Sequence, residues 1–133
     1  MSKKPLFLLL MLIASLILAA CGGGEDPTVA FCDALTEMTE TAPTIAALGE
    51  AADLAQIVQL GNAMDTNWQS LNKATEKLGN PDVQAAFDPY DTAYTSIPAI
   101  TQEMAMPVAR ATLDMKNQIA TEVYAELYPA NCQ

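Results

Sequence analysis

The sequence predicts an all-α domain, an up-down-up-down bundle of four helices, and two observations favour this fold class. Apolar residues recur every three or four positions through most of residues 27–133, which is the period of an amphipathic helix. No segment has the alternating, β-branched pattern that is typical of a strand. The chain of 133 residues has the length of one domain, since domains commonly run to about 100 to 200 residues.

The first helix is predicted to begin after Asp26, whose side chain is suited to capping, with Pro27 at the first helical position. Its apolar positions follow at helical spacing and are Phe31, Leu35 and Met38. Pro43 is expected to bend or stop this helix. Beyond such a bend, Ile45 and Leu48 could continue it to a glycine C-cap at Gly49.

The second helix has the clearest pattern in the chain. Asp53 and Gln56 form a capping-box pair at its start, and Gly79 stands where a left-handed C-cap is expected. Between them, steps of three and four residues connect the stripe Leu54, Ile57, Gly61, Met64, Trp68, Leu71, Thr75 and Leu78. The sequence therefore predicts one amphipathic helix over residues 54–78, about 37 Å long at 1.5 Å per residue.

Two further helices are predicted in the C-terminal half. Pro89 is expected to kink or restart the third, whose stripe is Val83, Phe87, Tyr90, Tyr94 and Ile97. Residues 98–107 fit either a loop or a short helix. Pro129 is expected to close the fourth helix, whose stripe is Val108, Met115, Ile119, Val123 and Leu127.

The N-terminus carries an export signal. Two lysines precede a run of apolar and small residues that ends in Leu18-Ala19-Ala20-Cys21, followed by glycines. These four residues resemble the lipobox of bacterial lipoproteins. The resemblance implies cleavage between Ala20 and Cys21, a diacylglyceryl group on the Cys21 thiol, and often acylation of the new amino terminus. It divides the chain into a signal peptide (1–20), a lipidated cysteine with a flexible linker (21–26) and a helical domain (27–133).

Charge and composition exclude several classes of function. The full chain carries a net charge of -10, which would repel a phosphate backbone. Nucleic acid is therefore not expected as a partner. Removal of the two signal-peptide lysines leaves four cations against sixteen acids, and 4 - 16 = -12. Such a domain should be repelled by anionic headgroups and held at the membrane by its lipid alone. Without histidine, the chain lacks Ser-His-Asp and Cys-His catalysis and most zinc sites.

The cysteines predict one disulfide. With Cys21 lipidated, Cys32 and Cys132 remain as an even pair in an oxidising, extracytoplasmic compartment, where they should form a bond. Cys32 lies near the start of the first predicted helix and Cys132 just after the last. An even number of antiparallel helices brings both to the same end of the bundle.

Two groups of residues are candidate contact sites. Four tyrosines form i, i+4 pairs, Tyr90 with Tyr94 and Tyr124 with Tyr128, which either line a groove for an apolar or aromatic ligand or form the outer edge of the core. The connection between the last two helices contains Ile100, Met104 and Met106. These residues either form an apolar contact patch facing away from the membrane or fold inward and cap the core.

The expected function is that of a non-enzymatic lipoprotein on the extracytoplasmic face of a bacterial cell membrane, binding another envelope protein. The alternative is a small-ligand or metal binder that uses the tyrosine groove or the thioethers of Met104 and Met106, which are soft ligands suited to Cu(I). Methionine more often fills gaps in a core, so neither a metal nor a cofactor is expected.

Overall fold

The computed structural model describes residues 24–133, and this part of the chain is helical without strands. The predicted signal peptide and Cys21 lie outside the described residues. Four long helices and one short one follow in order: α1 (Pro27–Thr39), α2 (Ala42–Ala46), α3 (Leu54–Leu78), α4 (Pro81–Ser96) and α5 (Met106–Asn131). The predicted all-α class is confirmed.

The helix starts follow the caps that the sequence contains. The Asp26 carboxylate accepts a hydrogen bond from the Thr28 backbone N–H at the start of α1. Asp53 and Gln56 form both hydrogen bonds of the capping box at the start of α3, which ends at Gly79 with a left-handed φ of 63°. That backbone conformation is easily adopted only by glycine, so the predicted bounds of this helix are correct.

Two prolines lie inside helices that continue past them. Pro89 is within α4, and Pro129 is within the last turn of α5 rather than at its end, so the predicted closure at Pro129 was wrong. A proline deprives the carbonyl four residues earlier of its helical partner. Those carbonyls belong to Ala85 and Ala125, and both alanines are exposed, so water can satisfy them.

The core lies between the four long helices. α1 packs on α3 and α5, α3 also packs on α4 and α5, and α4 packs on α5, while the short α2 contacts α5. The predicted stripes of α1 and α3 are buried or half-buried along their lengths. The connection over residues 97–105 is not helical, which settles the choice that the sequence left open.

The buried face of α5 differs from the predicted stripe. Val108 and Met115 are 54% and 48% exposed, although both were expected in the core. The residues that α5 buries are Ala109, Thr112, Leu113, Lys116, Ala120, Val123 and Leu127. The first half of the predicted stripe was therefore wrong by about one position, a rotation of about 100° around the helix axis.

A disulfide joins the start of α1 to the end of α5. The sulfur atoms of Cys32 and Cys132 lie 2.08 Å apart, at bonding distance. Near the start of α5, the Arg110 guanidinium donates a hydrogen bond of 2.9 Å to the Gly49 carbonyl, in the segment after α2. The predicted pairing of the two cysteines is confirmed.

Candidate functional site: a buried lysine between three helices

The most unusual polar group in the described domain is Lys116, in the middle of α5. Its side chain is 3% exposed, and its Nζ lies 2.6 Å from Oδ1 of Asp65 on α3. The Asp65 side chain is 28% exposed, so one member of the pair is buried and the other reaches water. A buried ammonium needs such a partner, because removing a lone charge from water costs several kcal/mol.

Aromatic side chains surround this ion pair. Tyr94 stacks on the indole of Trp68 with ring centroids 4.0 Å apart and planes inclined by 2°. The Lys116 ammonium lies 4.5 Å from the centroid of the same tyrosine ring, a distance suited to a cation–π contact. Because the indole covers one face of the Tyr94 ring, the ammonium covers the other. Phe87 stacks on the far side of the indole, with centroids 5.5 Å apart.

Two carboxylates complete the hydrogen bonding of the cluster. Oδ1 of Asp65 accepts a second hydrogen bond, of 2.8 Å, from the Tyr94 hydroxyl. Nε1 of Trp68 donates one of 2.8 Å to Asp91. Burial raises the pKa of Tyr94 well above its ordinary value, and the hydrogen bond to Asp65 and the negative charge of that carboxylate raise it further. The tyrosine hydroxyl therefore remains a donor at any physiological pH.

A cleft of about 250 Å³ opens beside the cluster. It is lined by residues of α3, α4 and α5 and of the connection after α4: Asp65, Trp68, Gln69, Tyr94, Thr95, Ile97, Ala99 and Lys116. What the cleft offers to a ligand is therefore the partly exposed Asp65 carboxylate, the polar side chains of Gln69 and Thr95, and the apolar residues of the connection.

The four predicted tyrosines occupy different surroundings. Tyr94 belongs to the buried cluster, and the cleft next to it contains none of the other three. The Tyr90 hydroxyl donates a hydrogen bond to the Glu126 carboxylate, which, with burial and nearby acidic charges, raises the pKa of Tyr90 to about 12. Tyr124 and Tyr128 stack on each other, 4.7 Å apart, near the end of α5.

The predicted apolar residues after α4 divide between the core and its edge. Ile100 is 3% exposed and lies against Gly61 of α3. Met104 and Met106 are half-buried and pack against the core. The sequence left open whether this connection forms an exposed contact patch or folds inward to cap the core. Ile100 folds inward.

Sequence reasoning missed the buried cluster, although the sequence contains a signal for it. Steps of four and three residues connect Ala109, Leu113, Lys116, Ala120, Val123 and Leu127, a regular apolar stripe with one lysine in it. A charged residue in a core register indicates either a wrong register or a buried partner. The predicted stripe through Val108 and Met115 contains no charged residue, so it fits the expected pattern of a core-facing helix equally well.

Comparison with protein-family models, with curated proteins and with solved structures finds no match to this chain. Within residues 24–133, no group of three or more cysteine, aspartate or glutamate side chains is arranged to hold a metal ion. In the same part of the chain, no helix is both long and apolar enough to cross a bilayer.

Proposed function

We propose that the protein is a non-enzymatic lipoprotein, anchored through Cys21 on the extracytoplasmic face of a bacterial cell membrane, where its helical domain binds another envelope component. The observation that carries this proposal is the lipobox Leu18-Ala19-Ala20-Cys21 at the end of the export signal. Two acyl chains hold a protein firmly at a membrane, because each buried CH₂ contributes about 0.8 kcal/mol.

The disulfide gives independent support for an extracytoplasmic location. Disulfides form and persist in oxidising compartments and are rare in the cytosol of mesophiles. Cys32 and Cys132 are bonded across a sequence separation of 100 residues, joining the first and last helices of the domain. A disulfide in this position stabilises the folded domain in a compartment that lacks the chaperones and reductants of the cytosol.

We also propose that the four long helices run up, down, up and down. Contacts between helices support this order. On α1 and α3, Ala30 lies near Lys77 while Glu37 accepts a hydrogen bond from Asn67, so residue numbers rise on one helix as they fall on the other. On α4 and α5, Tyr94 lies against Lys116 and Tyr90 against Glu126, which is again the antiparallel relation.

The absence of histidine from the sequence is the main argument for a binding role rather than an enzymatic one. The buried cluster supports the same view. Lys116 and Tyr94 both donate hydrogen bonds to Asp65, and the raised pKa of Tyr94 disfavours the phenolate that a base or nucleophile would need.

The decisive experiment is the intact mass of the protein extracted from membranes. The mass should equal the polypeptide from Cys21 to Gln133 plus one diacylglyceryl group, with or without a third acyl chain on the amino terminus. Cys21→Ala should leave an uncleaved, unmodified precursor. The double variant Cys32→Ala/Cys132→Ala is the matched control, since it removes cysteines without touching the lipobox and should keep the lipid. An unmodified wild-type mass would end the lipoprotein proposal.

Small-ligand binding is the second candidate function, and the cleft beside Asp65 is the observation that favours it. Trp68 is the only tryptophan in the chain, so its fluorescence reports directly on this cleft. Titration with small amines that carry an apolar group should shift the emission of the wild type but not of the double variant Asp65→Asn/Lys116→Met, in which no buried ammonium is left without a partner. Emission that is unchanged in both proteins would contradict ligand binding here.

A further inference from the structure

The cations of the described domain are distributed very unevenly. Residues 24–133 contain four, and two of them are already engaged: Lys116 with Asp65, and Arg110 with the carbonyls of Leu48 and Gly49. The other two, Lys73 and Lys77, lie one helical turn apart on α3 and are exposed.

Lys73 and Lys77 line the same groove between α1 and α3. Its volume is about 300 Å³, and three alanines, Ala30, Ala34 and Ala74, leave it open. The Lys116–Asp65 bond is the one salt bridge within 4.0 Å in residues 24–133, which contain all sixteen acids of the chain. Neither groove lysine therefore has a carboxylate within 4.0 Å, although Glu37 also lines the groove.

The groove lies at the end of the domain that the chain enters from Cys21. Ala30 is in the first turn of α1 and Lys77 in the last turn of α3, next to Gly79. Five residues separate Cys21 from Pro27, and the six steps between these two Cα atoms span at most about 20 Å when the chain is extended. Val29, in the same first turn, is an apolar side chain that is 49% exposed. A lipid on Cys21 would therefore hold this end against the headgroups.

We propose that the groove between α1 and α3 binds the phosphate groups of anionic phospholipids through Lys73 and Lys77, and so fixes the orientation of the domain on its membrane. This inference rests on the proposed lipid anchor at Cys21. The anchor matters energetically as well, because a tether keeps headgroups at a high effective concentration near a weak site.

Net charge alone predicts the opposite behaviour. A mature charge of -12 should repel an anionic surface, which was the expectation from the sequence. Salt screens charges beyond about 8 Å at physiological ionic strength, so the surface responds mainly to the charges that lie closest to it. Of the three charged residues that line the groove, Lys73 and Lys77 are cations and Glu37 is an anion, so the groove itself carries a net charge of +1.

The test measures how fast each lysine is acetylated in the mature, lipidated protein in vesicles. Vesicles of phosphatidylcholine alone are compared with vesicles that also contain phosphatidylglycerol, and neither lipid has a primary amine. We expect labelling of Lys73 and Lys77 to slow about fivefold when phosphatidylglycerol is present, the factor that corresponds to the interaction of one lysine with an anionic surface. High salt should reverse the effect.

Two variants make the readout specific. Gln59→Lys adds an exposed lysine on α3 about 27 Å from Lys77 along the helix, and its labelling should not depend on the lipid. Lys73→Gln should return Lys77 to its rate in phosphatidylcholine vesicles, whereas Arg110→Gln, at the opposite end, should leave the protection of Lys77 intact.

The intact mass of the same samples separates the two ways of failing. A lipidated Cys21 with equal labelling rates in both vesicles overturns the headgroup site and leaves the anchor in place. Equal protection of the lysine introduced at position 59 also overturns it, because the effect would then belong to the whole surface. An unmodified Cys21 overturns the anchor and, with it, this inference.

Discussion

Whether Gly61→Ala stabilises or destabilises the domain depends on one neighbouring side chain, that of Ile100. A Cβ added at Gly61 would lie 2.9 Å from Cδ1 of Ile100 and 3.3 Å from its Cβ and Cγ1. Real Cβ atoms essentially never approach other atoms to 2.9 Å, so Ile100 must give way. Its Cδ1 can move by rotation of the side chain, whereas relieving the 3.3 Å contact with its Cβ requires α3 or the connection after α4 to shift. Gly61→Ala therefore tests whether this connection really closes the core.

Two opposing terms set the expected effect. Alanine is favoured over glycine in a helix interior by about 1 kcal/mol. Overpacking a well-filled core costs about 1 to 3 kcal/mol. Gly61→Ala should therefore lower the free energy of unfolding by about 0 to 2 kcal/mol in the wild-type background.

Ile100→Val removes Cδ1, the nearest atom, and should itself cost about 0.5 to 1.5 kcal/mol. In that background Gly61→Ala should become neutral or stabilising by up to about 1 kcal/mol, because the helix propensity remains and the worst contact is gone. Ala63→Gly, at an exposed position of the same helix, measures the propensity term away from Ile100.

Urea unfolding of the four proteins of this double-mutant cycle, followed by circular dichroism with the disulfide intact, gives the coupling energy directly. If Gly61→Ala stabilises the wild-type and Ile100→Val backgrounds equally, Ile100 does not pack on Gly61 and the inward fold of the connection is wrong.

Three further predictions concern the disulfide and the buried cluster. Reducing the Cys32–Cys132 bond should lower the melting temperature by roughly 20 °C, since closing a loop of about 100 residues is worth about 4.7 kcal/mol on chain-entropy grounds. Free alkylation of both thiols in the native protein would contradict this. Asp65→Asn should destabilise the domain more than Lys116→Met in urea unfolding, because it strands a buried ammonium, whereas the lysine change leaves a carboxylate that reaches water; equal losses would count against the pair. Because the pKa of Tyr94 is raised on folding, its contribution to stability is complete below its ordinary value near 10 and is lost as the pH rises towards the folded-state pKa. Above pH 10, the free energy of unfolding should therefore fall less steeply with pH for Tyr94→Phe than for the wild type. Parallel pH dependences would refute the assignment.

Local signals allowed most of the fold to be predicted. The helix α3 was correct at both ends because its capping box and its left-handed glycine are encoded within a few residues of each terminus. The disulfide followed from cysteine parity. The closure predicted at Pro129 was wrong, because proline propensity describes the average helix and not one whose freed carbonyl faces water.

The candidate site was harder to predict than the fold, because it depends on long-range contacts. Asp65 and Lys116 are 51 residues apart, and Trp68 and Asp91 are 23 apart. The i, i+4 spacing of Tyr90 and Tyr94 suggested a shared environment. In the structure, Tyr94 lies between Trp68 and Lys116, whereas Tyr90 donates a hydrogen bond to a carboxylate on α5.

The position of Lys116 also explains how α5 selects one of two possible faces. The stripe through Val108 and Met115 and the stripe through Ala109 and Leu113 are displaced by about 100°, and both are apolar enough to face a core. Burying the first stripe would turn the Lys116 ammonium away from Asp65 and break the contact with Tyr94. A buried ion pair often adds little net stability, because desolvation offsets the attraction, but removing one partner is costly. We therefore expect the pair to act mainly by penalising the wrong rotation of α5. The orientation of α5 that keeps the pair together leaves Val108 and Met115 exposed on the surface of the domain.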